Sequence, residues 1–570
     1  MEKDRTPIIL WFLPVLVSVL SLMVAYSPQA AAQQPKVISN AFSNTPTRFD
    51  VSPPLGSLVS LPRAASSFHD PHTPKKPKLH GSGQRSPSGS AAAPALIGAR
   101  VTATQGLGFP GVDQIGDALD CPDIDINGIP HDPVPPDTNA AVGDSQVVQW
   151  VNICYAVFNK STGALIAGPF EGTNFWSGFG GPCEANNDGD IIIQWDKVNH
   201  RWLAAQNVFN SPGDNPPYYT CVAVSQTADA TGSYFRYQFP QPGFPDYPKW
   251  GKKGNVYYQT QNNFGDNDGF EGVTVCAYQA NLMLKGNSKA QQVCIVDDSN
   301  GTLFDDSMLP ADDDSPGPSS PEVLLGAIDN FLPGDTHVYE FVFTVDFDHP
   351  GKSTLAGIDG SMPISVPAFD LAICAPDGFL TTDCVPQPTP GADTLDTLGD
   401  RLMYRLAHFS GSNGIQHYVV THSVNDTAAV GARWYEFRAK GLGSTNLYLY
   451  KTGQTPADGE YRWMGSAAMD KAGDIVLGYS RSSANPGDYP SIYYAGQTAG
   501  DPLGTTESEV LIKQGGGSQI NSVDRWGDYS SMALDGTDSC TFWYTTEYYP
   551  LDGTRVWATW IASLRFPNCQ

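Results

Sequence analysis

Seven short runs of apolar and aromatic residues recur along this chain, and their spacing limits the folds open to it more than any other feature. They begin at Val147 (VVQWVN), Arg201 (RWLAAQ), Val256 (VYYQTQ), Val338 (VYEFVF), His417 (HYVVTH), Ile475 (IVLGYS) and Thr541 (TFWYTT), at intervals of 54, 55, 82, 79, 58 and 66 residues. A polar turn precedes each run, and Asp-Gly, Asn-Gly and Pro-Gly pairs punctuate the stretches between. Each interval holds one four-stranded unit, with insertions in the two long ones. Units of this size bury their faces by packing against neighbours around an axis. The pattern predicts an all-β fold, a single β-propeller over residues 101–570. Seven runs point to seven blades, with six or eight as alternatives and a pair of β-sandwiches as the competing arrangement. Gly 57 and Pro 46 supply the turns this demands, and helical periodicity is scarce. A ring has to close without free edges, so residues 556–564 are expected to pair beside a strand from the N-terminal side.

The first 32 residues read as an export signal. An apolar stretch from Ile8 to Ala25 follows Lys3 and Arg5, and Ala30, Ala31 and Ala32 suit a small-residue cleavage site that leaves Gln33 first. An uncleaved anchor is the alternative. The expected location is secreted, with no membrane span in the mature chain. Residues 33–100 are rich in Pro, Lys, Ser and Gly between Pro71 and Pro94, and the whole lead is expected to be a disordered linker.

Export makes the ten cysteines legible as five disulfides. Cys276 and Cys294 flank a turn symmetrically, Cys374 and Cys384 close a short loop, and Cys540 and Cys569 flank the Asp552-Gly553-Thr554 turn. Cys183 with Cys221 and Cys121 with Cys154 follow by elimination.

Charge excludes one class of partner. Residues 101–570 carry 23 basic and 55 acidic residues, a net of −32, whereas residues 33–100 carry eight basic and two acidic. An acidic body repels phosphate backbones, so no nucleic-acid partner is expected.

Charged turns recur ten to thirteen residues before most of the strand runs. They supply Asp137 (PPDTNAAVG), Asp188 and Asp190 (NNDGDIII), Asp246 and Lys249 (DYPKWG), Asp400, Arg401 and Arg405 (GDRLMYR), Arg462 (YRWMGS), and Arg525 and Asp528 (RWGDYSS). Similar offsets in a radial repeat place residues at similar radius and height. Asp137, Asp190, Asp246, Arg462, Arg525 and Asp528 are therefore expected at one mouth of the ring. There, Arg would bind carboxylates and paired acids could act on a glycosidic bond. The alternative is a structural ring of ion pairs. Asp123-Ile124-Asp125-Ile126-Asn127-Gly128 matches the first half of a calcium loop, so Asp123, Asp125 and Asn127 are candidate Ca²⁺ ligands, although Val134 stands where the bidentate acid belongs. The aspartate-rich stretch 297–321 reads as a long polar loop over one face.

Several motifs together resemble a family of large secreted bacterial proteins, mostly uncharacterised and loosely sialidase-like. They include PPDTNAAVGDSQVVQWVN, CEANNDGDIIIQWDKVNHRW, FPDYPKWG, GDRLMYRLAHF, MGSAAMDKAGDIVLGYS and RWGDYSSM, spread over residues 110–570. The resemblance implies a secreted propeller and carries over no activity. Sialidase repeats of the form S-x-D-x-G-x-T-W are not intact here. The Tyr435-Glu436 and Glu547-Tyr548 pairs place their side chains on opposite strand faces, so neither is a natural Tyr–Glu couple. The expected function is binding of an extracellular polysaccharide, glycan or surface protein. The alternative is a sialidase-like glycoside hydrolase using carboxylates at the mouth.

Overall fold

Alternating aromatic and β-branched residues pack well on both faces of a pleated ribbon, and the recurring runs are strands for that reason. The computed structural model describes residues 34–58, 96–97 and 102–570, apart from 116–118, 123, 127–128, 132–134, 211–214, 265–269, 298–305, 328–333, 375–380, 427–428, 442 and 521–524. Among the described residues, seven four-stranded antiparallel units follow one another: sheet 1 (138–171), sheet 2 (192–241), sheet 3 (244–297), sheet 4 (309–356), sheet 5 (402–454), sheet 6 (461–513) and sheet 7 (531–565). Within each, strands lie side by side in chain order. Sheet 7 takes its fourth strand from the other end of the chain. Thr104–Asp113 pairs antiparallel with Ala558–Arg565, with Ala558 opposite Asp113 and Arg565 opposite Thr104. The expected closure is thus present.

The first strands of the sheets are Thr138–Val142, Ile192–Asp196, Phe244–Lys253, Leu309–Asp313, Leu402–Ser410, Tyr461–Met469 and Ser531–Leu534. Each adjoins the next, and Ser531–Leu534 adjoins Thr138–Val142, so they form a closed circuit. A circuit of antiparallel sheets with their first strands innermost is a propeller-type architecture. The inner strands approach closely. A Cβ on Gly251 of sheet 3 would lie 2.3 Å from the carbonyl oxygen of Ala311 in sheet 4, so only glycine fits there. The inner strands of sheets 4 and 5 are close enough to hydrogen-bond in parallel, Ala311 opposite Leu406.

The core lies within and between the sheets. Trp150, Trp202, Trp250, Trp434, Trp463, Trp526 and Trp557 are fully buried. Tyr544 of sheet 7 fills the space over Gly478 of sheet 6, where a Cβ would come within 2.6 Å of its ring. Each buried aromatic removes about 150–250 Å² from water, roughly 4–6 kcal/mol before entropy is counted. All five expected disulfides are present: Cys121–Cys154, Cys183–Cys221, Cys276–Cys294, Cys374–Cys384 and Cys540–Cys569. No described helix is long and apolar enough to cross a membrane.

Three expectations need correction. Six of the seven runs fall on second strands, but Val338 lies on the third strand of sheet 4, Asp335–Thr344. The second, Glu322–Gly326, is short and has no aromatic residue, so the aromatic signal passed over it. The stretch 297–321 is not simply a loop, because it contains Leu309–Asp313, a fully buried inner strand. Nor is the whole lead from 33 to 100 a disordered linker. Val37–Ile38, Phe42–Asn44 and Arg48–Val51 add edge strands to sheets 4, 3 and 2 in turn. An outer strand's free edge accepts such pairing readily. Asp50 anchors this lap through Arg236 at 2.7 Å. The Pro- and Lys-rich segment 59–95 and the expected signal within residues 1–33 lie outside the described residues. Pro35–Gln570 makes one compact unit.

Candidate functional site

The inner strands begin with a repeated backbone strain. Asp137 (φ 43°), Asp190 (φ 51°), Tyr247 (φ 52°), Ser307 (φ 53°) and Met464 (φ 54°) all adopt left-handed conformations at or near the start of the inner strands of sheets 1, 2, 3, 4 and 6. Asp tolerates this through its short polar side chain. For Tyr and Met it costs about 1–2 kcal/mol each. Such strain concentrates where side chains must be aimed. In sheet 3 a bulge between Asp246 and Lys249 breaks the register as well.

The result at the axis is a group of three carboxylates. Asp137, Asp190 and Asp528 come from sheets 1, 2 and 7, and each offers an oxygen within 4.8 Å of the other two. Asp137 and Asp528 are 2% and 1% exposed, while Asp190 is half-buried and forms the solvent side of the group. Asp137 Oδ1 accepts a hydrogen bond from the backbone N–H of Asp528 at 2.7 Å, and its Oδ2 accepts one from Asn152 Nδ2 at 2.9 Å. Arg525 forms a salt bridge with Asp528. Lys249, fully buried, donates to the carbonyl of Pro248 at 3.1 Å. Its ammonium lies 3.3 Å from the centre of the Tyr247 ring and 4.4 Å from that of Tyr529. Behind Asp528, Glu547 Oε1 accepts from the N–H of Gly527 at 2.5 Å. Arg401, paired with Asp400 at 2.9 Å, also lies over the Tyr247 ring, 4.6 Å from its centre.

Burial and like charge govern the protonation of this group. Burial first, and then the nearby Asp528 and Asp190, hold the carboxyl of Asp137 well above its usual range. Burial pushes Asp190 up to about 6, with Asp528 adding to the effect and Lys249 and Arg525 opposing it. Burial also raises Glu547 to about 8 and lowers Lys249 to about 8. Convergent groups with such shifts mark functional sites more often than ordinary surfaces.

Of the six residues expected at one mouth, Asp137, Asp190, Arg525 and Asp528 come together. Asp246 is buried in the same inner-strand start of sheet 3, opposite Asn262. Arg462 is held apart from the acid group. It makes two bonds each to Glu509 (2.8 and 2.9 Å) and Asp458 (2.8 and 3.0 Å), which fix sheet 6. Lys249, Tyr247, Tyr529, Asn152 and Glu547 complete the surroundings and were not among the six. Only the shared DYPKWG turn marks Lys249, and the VVQWVN run marks Asn152 only as part of a strand, whereas it reaches Asp137 from the hairpin between the second and third strands of sheet 1. Of the expected calcium ligands, Asp123 and Asn127 lie outside the described residues, and for Asp125 only its place in the strand Ile124–Ile126 is described.

A groove opens on the same side of the ring between sheets 2 and 3. It has a volume of about 660 Å³ and is lined by Pro216, Pro217, Tyr218, Tyr219, Phe244 and Phe264 among others. Phe244 begins the strand that carries Asp246 to Lys249.

No protein-family model and no curated protein matches this sequence. Among solved structures the chain is similar to an α-L-arabinanase of Penicillium chrysogenum at 9% identity, over 82% of this chain and 100% of that one, with a TM-score of 0.34. It is similar to the WD40 domain of SCAP from fission yeast at 8% identity, over 74% and 82%, with a TM-score of 0.33. It is similar to the Trypanosoma rangeli sialidase at 9% identity, over 64% and 53%, with a TM-score of 0.29. At these values the likenesses carry no inference about chemistry, and the sheet order of this chain is the ground for its propeller-type assignment.

Proposed function

We propose that this chain is a secreted, seven-bladed β-propeller that binds an extracellular glycan or envelope polysaccharide at the mouth where its inner strands begin. Seven four-stranded sheets in a closed circuit support seven blades, and five disulfides support an oxidising, extracellular location. The observation that carries the binding reading is the presence, on one side of the ring, of both a partly exposed Asp190 and an aromatic and proline-lined groove. Sugars present hydroxyls to carboxylates and C–H faces to aromatic rings, and 660 Å³ is the size of a small-ligand cleft.

The test is a glycan array on the mature chain from Gln33, alongside Asp190→Asn and Tyr219→Ala. Wild type should retain particular glycans, and each variant should lose at least about tenfold in affinity. Retention of no glycan or polysaccharide by the wild-type chain would sink the reading.

A second reading, glycoside hydrolysis, is favoured by Asp190 alone. Raised to about 6, it could protonate a leaving oxygen beside an Asp528 paired with Arg525. A separation within 4.8 Å lies nearer the retaining geometry than the wider inverting one. The near-complete burial of Asp137 and Asp528 weighs toward binding. Turnover of a chromogenic glycoside that Asp190→Asn abolishes would reverse that order.

A further inference from the structure

The geometry points to a divalent-cation site of the calcium class on the propeller axis, with Asp137, Asp190 and Asp528 as carboxylate ligands and the side-chain oxygen of Asn152 beside them. Three acids from three sheets meet within 4.8 Å, and only Asp528 has a salt bridge among the described residues. Lys249 does not fill that role by contact. Its ammonium is spent on the Pro248 carbonyl and on the faces of Tyr247 and Tyr529.

Asn152 supplies the independent observation. Its Nδ2 donates to Asp137 Oδ2 at 2.9 Å and to the Pro135 carbonyl at 3.2 Å, which sets which end of the amide is oxygen. Its Oδ1 is buried and has no hydrogen-bond partner. That oxygen faces Gly189, next to Asp190, where a Cβ would lie only 2.3 Å away. Gly189, at φ 78°, therefore leaves room for it on the backbone next to Asp190. Leaving such an acceptor bare is costly, and a cation would satisfy it.

The donor set decides the class of ion. It is all oxygen, three carboxylates and an amide carbonyl, with no thiolate or imidazole. Hard ions take such sets, while zinc and copper favour nitrogen and sulfur. Ligands drawn from three separate sheets suit the adaptable coordination of Ca²⁺ better than the strict octahedron of Mg²⁺. This site is distinct from the Asp123–Asn127 loop, and it does not depend on the glycan reading.

The test uses the mature chain treated with chelator and then titrated with Ca²⁺ by calorimetry, with Tb³⁺ as a luminescent probe. Tyr247 and Tyr529 flank the site and should sensitise terbium emission. The expected results are saturable Ca²⁺ binding, displacement of Tb³⁺ by Ca²⁺, a rise in Tm with Ca²⁺, and at least a tenfold loss of Ca²⁺ affinity in Asp190→Asn. Asp190 is the least buried of the three acids, so that variant should fold, and its melting curve without cation checks this. No binding of either ion by folded wild type overturns the inference. So does loss of the terbium signal in Asp125→Asn with retention in Asp190→Asn, which would place the ion in the hairpin loop. Running the glycan array with calcium and with chelator separates the two ideas. Cation binding without any glycan sinks only the glycan reading, and glycan binding by a chain that takes up no cation sinks only this one.

Discussion

Two charged layers sit on the same axis and are built on opposite terms. At the far end of the inner strands, Lys197, Lys252 and Arg405 meet Asp312 and Asp314. Lys252 pairs with Asp312 and Lys197 with Asp314, while Arg405 reaches Asp312 at 2.9 Å and Asp314 at 2.5 Å. Burial pushes Asp312 up, but Lys252 and Arg405 outweigh it and bring the carboxyl down to about 2. At the near end, Asp137, Asp190 and Asp528 share Arg525 and a Lys249 that sits out of ion-pair contact, and all three carboxyls are raised. The inner strands supply both layers, so the backbone does not explain the difference. Pairing does. In the far layer each acid has two cations in contact, and these pairs hold sheets 2, 3, 4 and 5 together. The near layer keeps an excess of acid that is stable only with bound protons, a cation or a ligand.

Removing the shared cation of the far layer should have the largest effect. Arg405→Leu takes one of two cations from each of Asp312 and Asp314 and leaves them only Lys252 and Lys197, and denaturant melts at pH 7 should show a loss of about 2–3 kcal/mol. The sign with pH follows from Asp312. A carboxyl lowered in the folded state stabilises above its unfolded value and loses that contribution as pH falls toward 2, so the loss in Arg405→Leu should shrink in acid. A change below about 1 kcal/mol would mean the two layers do not differ as argued.

Lys249→Met probes the near layer's cation while keeping its packing on Tyr247 and Tyr529. The expected loss is about 1–2 kcal/mol at pH 8 and less at pH 5, where the acids can take up protons instead. A larger loss at pH 5 than at pH 8 would contradict a layer relieved by protonation.

The smallest stability effect belongs to Asp190→Asn. Neutralising one of three crowded acids should change stability by less than about 1 kcal/mol at pH 7, because it also removes like-charge repulsion, and Asn tolerates a positive φ. In the wild type, Asp190 titrates at about 6 in the folded state, above its usual range. Its contribution is full below the unfolded value and is lost as pH rises through 6. Stability should therefore fall between about pH 4 and 6 in the wild type, and Asp190→Asn should flatten that slope in a series of thermal melts.

Much of the architecture was legible because it is periodic. Strand runs such as VVQWVN and TFWYTT carry their own β pattern, and ten cysteines pair by local symmetry and exclusion. The failures have physical causes as well. EVLLG has no aromatic residue and was passed over. In 297–321, aspartates that normally mark solvent are buried against Lys252, Lys197 and Arg405, which lie more than 50 or 90 residues away in sequence. Val37–Val51 looked like a continuation of a linker, but free sheet edges ordered it.

The sequence by itself determined the repeat, the strands, the disulfides and the offset that lines up Asp137, Asp190 and Asp528, since these depend on local periodicity and spacing. The tertiary structure alone decided which charges meet. Arg462 has the right offset and goes to Glu509 and Asp458, while Asn152, in the VVQWVN run, and Glu547, in the Glu547-Tyr548 pair, have no such offset and stand beside Asp137 and Asp528. Ion pairs depend on which side chains from different sheets come within a few ångströms after the ring closes. No offset along a single strand contains that information.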